Sequence, residues 1–335
     1  MAALLSRESA RGAIGALLLL GVSGGCDRGS RREATEAEPA VHTRESAPAG
    51  GYSLVGFFGS SGGGPGELQS PTGIAVGEGG ALCIADSGNR RIQVLSSDGA
   101  FLREWEKSGD APGRFEKPID VAIGPDGSVY VADFGLDRVQ RFTPEGELLL
   151  SWGGAGEAEG EFAGPAGLAT GADGRVYVAE FYNHRIQVFD ASGQYERTLG
   201  REGHGMGELH YPTDVSLRSD GSLLVADAYN HRIQALTREG KAIEGQYDIG
   251  KSLEGSAPLN TPTGVALDAS GRMHVADSAN KRAVLLDGDG SFIAEWRLAE
   301  DANPRIHSPT RVAVSSDRIY LVDTSNDRIA VLAVH

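Results

Sequence analysis

Six acidic residues in this chain are each followed, five positions later, by an arginine. The pairs are Asp86 and Arg91, Asp133 and Arg138, Glu180 and Arg185, Asp227 and Arg232, Asp277 and Arg282, and Asp323 and Arg328. A planar guanidinium can hold a carboxylate through two parallel hydrogen bonds and still donate to nearby carbonyl oxygens. Such pairs can form a ring of ligand-binding charges or a set of structural clasps. We favour clasps, because a feature found in every copy of a repeat meets a need that every copy has.

The pairs belong to a repeat that begins at a proline and recurs every 47 residues, with one interval of 50. Its six copies begin at Pro71, Pro118, Pro165, Pro212, Pro262 and Pro309. Within each copy, short apolar segments alternate with turn sequences such as Pro125-Asp126-Gly127, a pattern that predicts four short strands. Four strands in a repeat of this length are typical of one β-propeller blade.

The repeats therefore predict an all-β protein, a six-bladed β-propeller with four-stranded antiparallel blades. The sixth copy ends after its third strand, at residues 329–334, whereas residues 52–59 before the first proline have the pattern of a fourth strand. We expect this N-terminal strand to close the last blade, because an open ring would leave unpaired sheet edges. Residues 51–335 then form one propeller domain.

The loop between the second and third strands carries the most specific motif. Asn183-His184-Arg185-Ile186 and Asn230-His231-Arg232-Ile233 resemble the sequence that names the NHL repeat family. The resemblance covers all six copies and implies the propeller fold. His184 and His231 hold equivalent positions in different copies, so we interpret them as part of the loop structure and not as ligands of one metal ion.

Specific function is expected where the copies differ. In propellers, ligands usually bind at the end of the channel where the first strands begin, so residues just after the prolines are candidates. The loops after the second strands add aromatic side chains to the same face. Together these residues suit a sugar, a peptide or a cation. The candidate ligand-binding rim is Asp120, Phe134, Phe181, Tyr182, Asp214, Tyr229 and Arg311.

The charge balance argues against nucleic acid as a partner. The formal net charge is −15, and all of it lies after residue 50, because residues 1–50 hold six acidic and six basic residues. Proteins that bind nucleic acid use basic surface to neutralise phosphates. We therefore expect no nucleic-acid partner. We also expect the propeller to be monomeric.

The N-terminus has the pattern of an export signal. Arg7 and Arg11 precede an apolar run at residues 13–22, which is shorter than the ~20 apolar residues of a membrane-spanning helix. Small residues and then Cys26 follow, which resembles the lipobox of bacterial lipoproteins, although Ser23 stands where that motif usually has leucine. We predict a signal peptide at residues 1–25, lipidation of Cys26, and a disordered tether at residues 26–50. The resemblance implies an exported, membrane-anchored lipoprotein of the bacterial envelope.

Two functions remain open from the sequence. The first is a binding or scaffold module that engages a protein, peptide or glycan through the rim. The alternative is a metal-dependent hydrolase or lyase with its site in the channel mouth. Peptidyl-amidoglycolate lyases resemble this fold and hold zinc with channel histidines, but the channel positions here carry none. The alternative would therefore use a divalent cation as cofactor, with Asp120 and Asp214 as candidate ligands.

Overall fold

Six antiparallel sheets make up the described part of the protein. The structure, a computed structural model, describes residues 51–106, 109–297 and 306–334. Strand β1 (Tyr52–Phe58) precedes the first blade, which contains β2 (Pro71–Val76), β3 (Leu82–Asp86), β4 (Arg91–Leu95) and β5 (Phe101–Glu106). The second contains β6 (Pro118–Ile123), β7 (Val129–Asp133), β8 (Arg138–Phe142) and β9 (Leu148–Gly153). The third contains β10 (Pro165–Thr170), β11 (Val176–Glu180), β12 (Arg185–Phe189) and β13 (Tyr195–Leu199).

The other three blades follow the same order. The fourth contains β14 (Pro212–Leu217), β15 (Leu223–Asp227) and β16 (Arg232–Leu236). The fifth contains β17 (Pro262–Leu267), β18 (Met273–Asp277), β19 (Arg282–Leu286) and β20 (Phe292–Trp296). The sixth contains β21 (Pro309–Val314), β22 (Ile319–Asp323) and β23 (Arg328–Val334). Single turns of 3₁₀-helix lie at Glu78–Gly80, Ser87–Asn89, Ala228–Asn230 and Thr324–Asn326.

The ring is closed by the N-terminal strand, as predicted. Strand β1 pairs antiparallel with β23, with Tyr52 opposite Val334 and Phe58 opposite Ile329, so the sixth sheet has the order β1-β23-β22-β21. The innermost strands contact one another in circular order, and β21 contacts β2. Strands from opposite ends of the described residues therefore share one blade, and the predicted six-bladed fold is confirmed.

The fourth blade departs from the regular pattern at its outer edge. Its sheet has three strands. The outer position is taken by an irregular segment that makes two antiparallel bridges, Leu236 with Ala242 and Ile233 with Ile249. The single interval of 50 residues between prolines, from Pro212 to Pro262, coincides with this segment.

The hydrophobic core lies between blades. Leu224 and Ala226 of β15 pack in a cluster with residues of the fifth blade, whereas Leu223 and Val225 pack toward the third. Successive strand residues point to opposite faces, and each blade is covered on both faces by its neighbours. The second strand of every blade is consequently buried along its whole length.

Five of the six acid–arginine pairs form the expected clasps. Arg232 Nε lies 2.8 Å from Asp227 Oδ2, and both side chains are buried. The same guanidinium donates to the carbonyls of Gly205 and Glu208 in the segment that approaches the blade. Each clasp thus ties its loop and approach segment to one blade, and the structural interpretation is confirmed for these pairs.

The second blade lacks this ion pair. Arg138 donates to the carbonyls of Asp110, Ala111 and Arg114, and Asp133 accepts from backbone amides, including that of Leu136. In the other five blades an asparagine replaces Leu136 and donates to the acid. These residues are Asn89, Asn183, Asn230, Asn280 and Asn326. A leucine offers no side-chain donor, so the Asp133 carboxylate is satisfied by the loop backbone instead.

In four of the six blades, the residue before the arginine that begins the third strand joins neighbouring blades. These residues have left-handed backbone conformations, with φ of 52° at His184 and 54° at His231. His184 Nδ1 accepts a hydrogen bond from the Tyr211 amide at 3.0 Å, and His231 Nδ1 accepts one from the Thr261 amide at 3.0 Å. Asp137 and Asp327 accept in the same way from Gly164 and Ser70 at 2.7 Å. Each acceptor therefore binds the residue that precedes the next blade's proline, which confirms a structural role for His184 and His231.

Candidate functional site

The channel is lined by the second residue after each blade proline. These residues alternate between glycine and a charged side chain: Gly73, Asp120, Gly167, Asp214, Gly264 and Arg311. A Cβ atom on Gly73 would lie 2.6 Å from the Cα of Asp120, and one on Gly167 would lie 2.6 Å from the Cα of Asp214. Adjacent first strands approach so closely here that glycine is required in alternate blades. The three charged side chains come from the remaining blades and converge on the axis.

Arg311 spans the two carboxylates. Its Nε lies 3.1 Å from Asp120 Oδ1, and its Nη1 lies 2.9 Å from Asp214 Oδ1. Nη2 also donates to the carbonyl of Ala166 at 2.7 Å. The carboxylates accept from the backbone amides of Leu168 and Val265, both at 2.8 Å. We call Asp120, Asp214 and Arg311 the channel triad.

The channel triad is buried, which differs from the open rim expected from the sequence. Asp120 is 2% exposed, Asp214 4% and Arg311 5%. Above the triad, the first residues after the prolines surround a cavity of about 10 Å³, which has room for no more than a single water molecule. Among them, Thr72 and Thr263 donate hydrogen bonds to the carbonyls of Ile119 and Pro309 in the next blades. The channel is therefore closed at this level by packed side chains.

Burial controls the ionisation of the triad. It raises the pKa of Asp120 to about 7, although Arg311 opposes the rise and Asp214 adds to it. Burial also raises the pKa of Asp214, against the opposing effect of Arg311. Burial disfavours the charged guanidinium as well, but Asp120 and Asp214 more than offset this and raise the pKa of Arg311. Two carboxylates thus share one cation, and Asp120 is placed to take up a proton near neutral pH.

The predicted aromatic residues lie on the face where the first strands begin. Pro118 pairs with Asp133 and Pro165 with Glu180, so the loops that follow these acids lie beside the prolines. Phe181 is fully buried, whereas Phe134, Tyr182 and Tyr229 are half-buried. The structure brings all four together, with ring centroids 5.8 Å apart for Phe134 and Tyr182 and 6.1 Å apart for Phe181 and Tyr229.

Sequence reasoning missed Tyr211, which lies at the centre of this group. Its ring centroid is 4.7 Å from that of Phe181 and 4.8 Å from that of Tyr229. Tyr211 directly precedes Pro212, at a position where the blades differ, so the signal was available. We call Phe134, Phe181, Tyr182, Tyr211 and Tyr229 the aromatic platform. His184 and His210 adjoin it, with centroids 4.3 and 4.7 Å from Tyr211.

The aromatic platform occupies only half of the face. It is built by the second, third and fourth blades. In the other three blades the equivalent positions carry small residues: Ser70, Ser87, Gly88, Thr261, Ser278, Ala279, Ser308, Thr324 and Ser325. The fold is therefore complete without aromatic residues at these positions, and their restriction to adjacent blades makes one side of the face chemically distinct.

No cluster of metal-ligating side chains is found among residues 51–106, 109–297 and 306–334. Asp120 and Asp214 come together as the sequence suggested, but the guanidinium of Arg311 occupies the space between them. A resident cation thus already pairs with both candidate metal ligands. Cys26 lies outside the described residues.

Comparisons with known proteins support the fold. The NHL repeat family model matches residues 68–95, 162–189 and 209–236, each of which ends with the third strand of a blade. No curated protein sequence matches the chain.

Three solved structures illustrate the likeness. A streptogramin B lyase has a TM-score of 0.60 and 15% identity, over 85% of this chain and 98% of that chain. A gluconolactonase from Xanthomonas campestris has a TM-score of 0.60 and 14% identity, over 80% and 87%. A chain of a nidogen–laminin complex has a TM-score of 0.52 and 16% identity, over 66% and 77%. At such identities the likeness concerns the fold alone. The protein is a six-bladed β-propeller that contains NHL repeats.

Proposed function

We propose that this propeller is an exported binding or scaffold module that engages a protein, peptide or glycan through the aromatic platform. The observation that carries the proposal is that, at the equivalent positions of this face, three adjacent blades carry large aromatic side chains and the other three carry small residues. Tyrosine provides a large apolar contact surface together with a hydroxyl group, and it is enriched where proteins bind ligands. Three of the platform's rings are half-buried tyrosines, so they keep surface available for contact.

The proposal predicts that partners contact this face and not the outer edge of the blades. A photo-crosslinking phenylalanine analogue placed at Tyr229 in the full chain should yield covalent adducts in its native host. The matched control places the same analogue at Leu102, which is 50% exposed on the outer strand β5. Adducts that form equally at both positions, or at Leu102 alone, would exclude the platform as the binding surface.

The enzymatic alternative finds less support in the geometry. It requires Asp120 and Asp214 to hold a divalent cation, whereas Arg311 pairs with both carboxylates. Two of the similar structures are a lyase and a gluconolactonase, but their identity to this chain is too low to transfer an activity. Metal analysis of the purified full chain tests the alternative directly. One equivalent of tightly bound divalent cation, lost in Asp120→Asn, would favour the enzyme over the binding module.

The site of action is proposed from the N-terminal sequence. We infer that Cys26 anchors the propeller to a bacterial envelope membrane and that residues 26–50 are its tether. Across the ranges 51–106, 109–297 and 306–334, no helix has the length and apolar character needed to span a bilayer. Cys26→Ala should move the protein from the membrane fraction to the soluble exported fraction. Membrane partitioning that is unchanged in this variant would contradict an anchor at Cys26.

A further inference from the structure

We propose that the ligand of the aromatic platform is a basic peptide segment, an extended stretch of protein that carries lysine or arginine side chains. This inference rests on the binding function proposed above and names the chemistry of the partner. It follows from three features of the same face: the charge of the segments around the platform, the pairing of the cations in those segments, and the angles between the rings.

The segments that lead into the second, third and fourth blades are acidic. Residues 109–117, 154–164 and 201–211 hold seven acidic side chains and three basic ones. Two exposed carboxylates lie beside the platform at different points. Glu116 packs against Gly135, next to Phe134. Glu202 lies 3.9 Å from His184 Nε2, and the His184 ring adjoins Tyr211.

All three basic side chains already interact within the protein. Lys117 lies over the ring of Phe134, and Arg201 pairs with Glu208 at 2.9 Å. The third, Arg114, packs along Gly109. The clasp arginines of these blades donate to loop carbonyls, as Arg185 does to Glu157 and Ala158. A ligand on this face therefore meets an excess of negative charge, which favours a cationic ligand over an acidic or phosphorylated one.

One cation already uses the platform. Lys117 Nζ lies 5.0 Å from the ring centroid of Phe134, within the range of a cation–π contact. Burial lowers the pKa of this ammonium, whereas Glu116 and Asp133 favour its charged form. The protein thus contains an internal example of the contact that a ligand lysine would make with the other rings.

The remaining rings are set at varied angles to one another. The angle between ring planes is 90° for Phe181 and Tyr182 and 85° for Tyr182 and Tyr211, but 43° for Phe181 and Tyr211 and 54° for Tyr211 and Tyr229. The rings therefore do not form one flat stacking surface, and an exposed ring face can accept a cation–π contact. A single flat ring face would suit a sugar better. The geometry therefore favours a lysine or arginine side chain.

The test measures binding of a defined probe to the full-length protein. The probe is a fluorescein-labelled eight-residue peptide of alternating lysine and glycine. A glutamate–glycine peptide of equal length and the neutral glycan chitohexaose are the comparison ligands. We expect the basic peptide to bind, and its affinity to fall at high salt because exposed charges are screened. The acidic peptide should not bind.

Variants locate the contact. The double variant Tyr182→Ala/Tyr229→Ala should weaken binding at least tenfold, and Glu202→Gln about threefold. Tyr182→Phe keeps the ring and should retain the affinity. The matched controls are Tyr247→Ala, in the outer segment of the fourth blade, and Glu78→Gln, on the opposite face. Neither control should change the affinity, and thermal melting of each variant verifies that it is folded.

Two outcomes would overturn the inference. If the basic peptide does not bind, or binds equally well to the folded double variant, the platform does not recognise basic peptides. If chitohexaose binds instead and the double variant abolishes this binding, the ligand is a glycan. In that case the proposed binding function survives while the basic-peptide inference fails. Failure of the crosslinking experiment at Tyr229 would remove the proposed function itself.

Discussion

Arg311 pairs with two carboxylates at the centre of the ring but carries a single positive charge. A buried charge is costly unless it is paired and hydrogen-bonded. Asp120 and Asp214 meet this requirement through Arg311 and through the amides of Leu168 and Val265. One negative charge nevertheless remains in excess when both carboxylates are ionised. Burial disfavours the ionised form of Asp120 and, together with the neighbouring charge of Asp214, raises the pKa of Asp120 to about 7.

The channel triad predicts that stability depends on pH in a defined direction. The folded pKa of Asp120 is raised from 3.8 to about 7, so the folded state binds more protons than the unfolded state between these values. Stability from this group is complete below pH 3.8 and is lost as the pH rises through 7. Asp120→Asn keeps an acceptor for Leu168 and removes the titration. The variant should lose less free energy of unfolding than the wild type between pH 5 and pH 8, as measured by urea denaturation.

A contrasting variant tests the same pairing. Arg311→Leu leaves two buried carboxylates without their cation, and removal of one partner from a buried ion pair costs about 3–5 kcal/mol. We expect this loss to be larger at pH 8 than at pH 5, where Asp120 can protonate. If Arg311→Leu and the wild type have equal stability at pH 8, the triad is not a stabilising element.

In the loops, one position between the second and third strands links a blade to its neighbour in four of the six blades. His184 and His231 occupy it in two blades, and Asp137 and Asp327 in two others. The common property is a side-chain acceptor on a residue with a left-handed backbone, a conformation that aspartate tolerates well. The histidine of the motif is therefore one of two residue types, with aspartate, that supply this hydrogen-bond acceptor.

This equivalence predicts different outcomes for two substitutions. His184→Ala removes the acceptor for the Tyr211 amide and should reduce the free energy of unfolding by about 1–3 kcal/mol, the cost of an unsatisfied buried group. His184→Asp restores an acceptor of the kind found in the second and sixth blades, so most of this loss should be recovered. Chemical denaturation measures both. Equal destabilisation by Ala and Asp would show that the ring of His184, and not its acceptor, matters.

At the scale of the whole molecule, stability depends on closure of the ring. Strand β1 and strand β23 come from opposite ends of the described chain and pair along their lengths. The Tyr52 hydroxyl also bonds His274 Nδ1 at 2.9 Å, so β1 contacts the fifth blade as well as the sixth. Every blade is packed between two others, and opening the ring exposes two apolar blade faces to water.

Deletion of residues 51–59 should therefore destabilise the entire propeller. We expect a single unfolding transition at a lower temperature, because loss of β1 exposes the edge of β23 and weakens the packing of two blades. Differential scanning calorimetry distinguishes this from fraying at one end. A matched internal control is Leu102→Ala, which trims an exposed side chain of another outer strand and should leave the transition unchanged. A deletion variant that melts like its parent would show that closure contributes little.

The fold could be predicted from the sequence, because the information that specifies it is local and repeated. Proline spacing, turn residues and short apolar strands recur in each copy. An element that is hard to assign in one copy can therefore be assigned from the equivalent positions of the other copies. The acid–arginine clasps were predictable for the same reason: both partners lie within one loop, five residues apart. The exception at Arg138 was also present in the sequence, at Leu136, but its effect depended on how the loop backbone folded.

How residues from different blades contact one another depended on the tertiary structure. Asp120, Asp214 and Arg311 lie far apart in the chain, and their positions in the repeat placed them at the channel mouth but did not indicate that Arg311 would pair with both carboxylates. The sequence could identify their charges but not their burial, which the close approach of the first strands imposes. Tyr211 likewise contacts rings of the third and fourth blades across the face. Contacts between blades, which no single repeat specifies, form both the sealed channel and the aromatic platform.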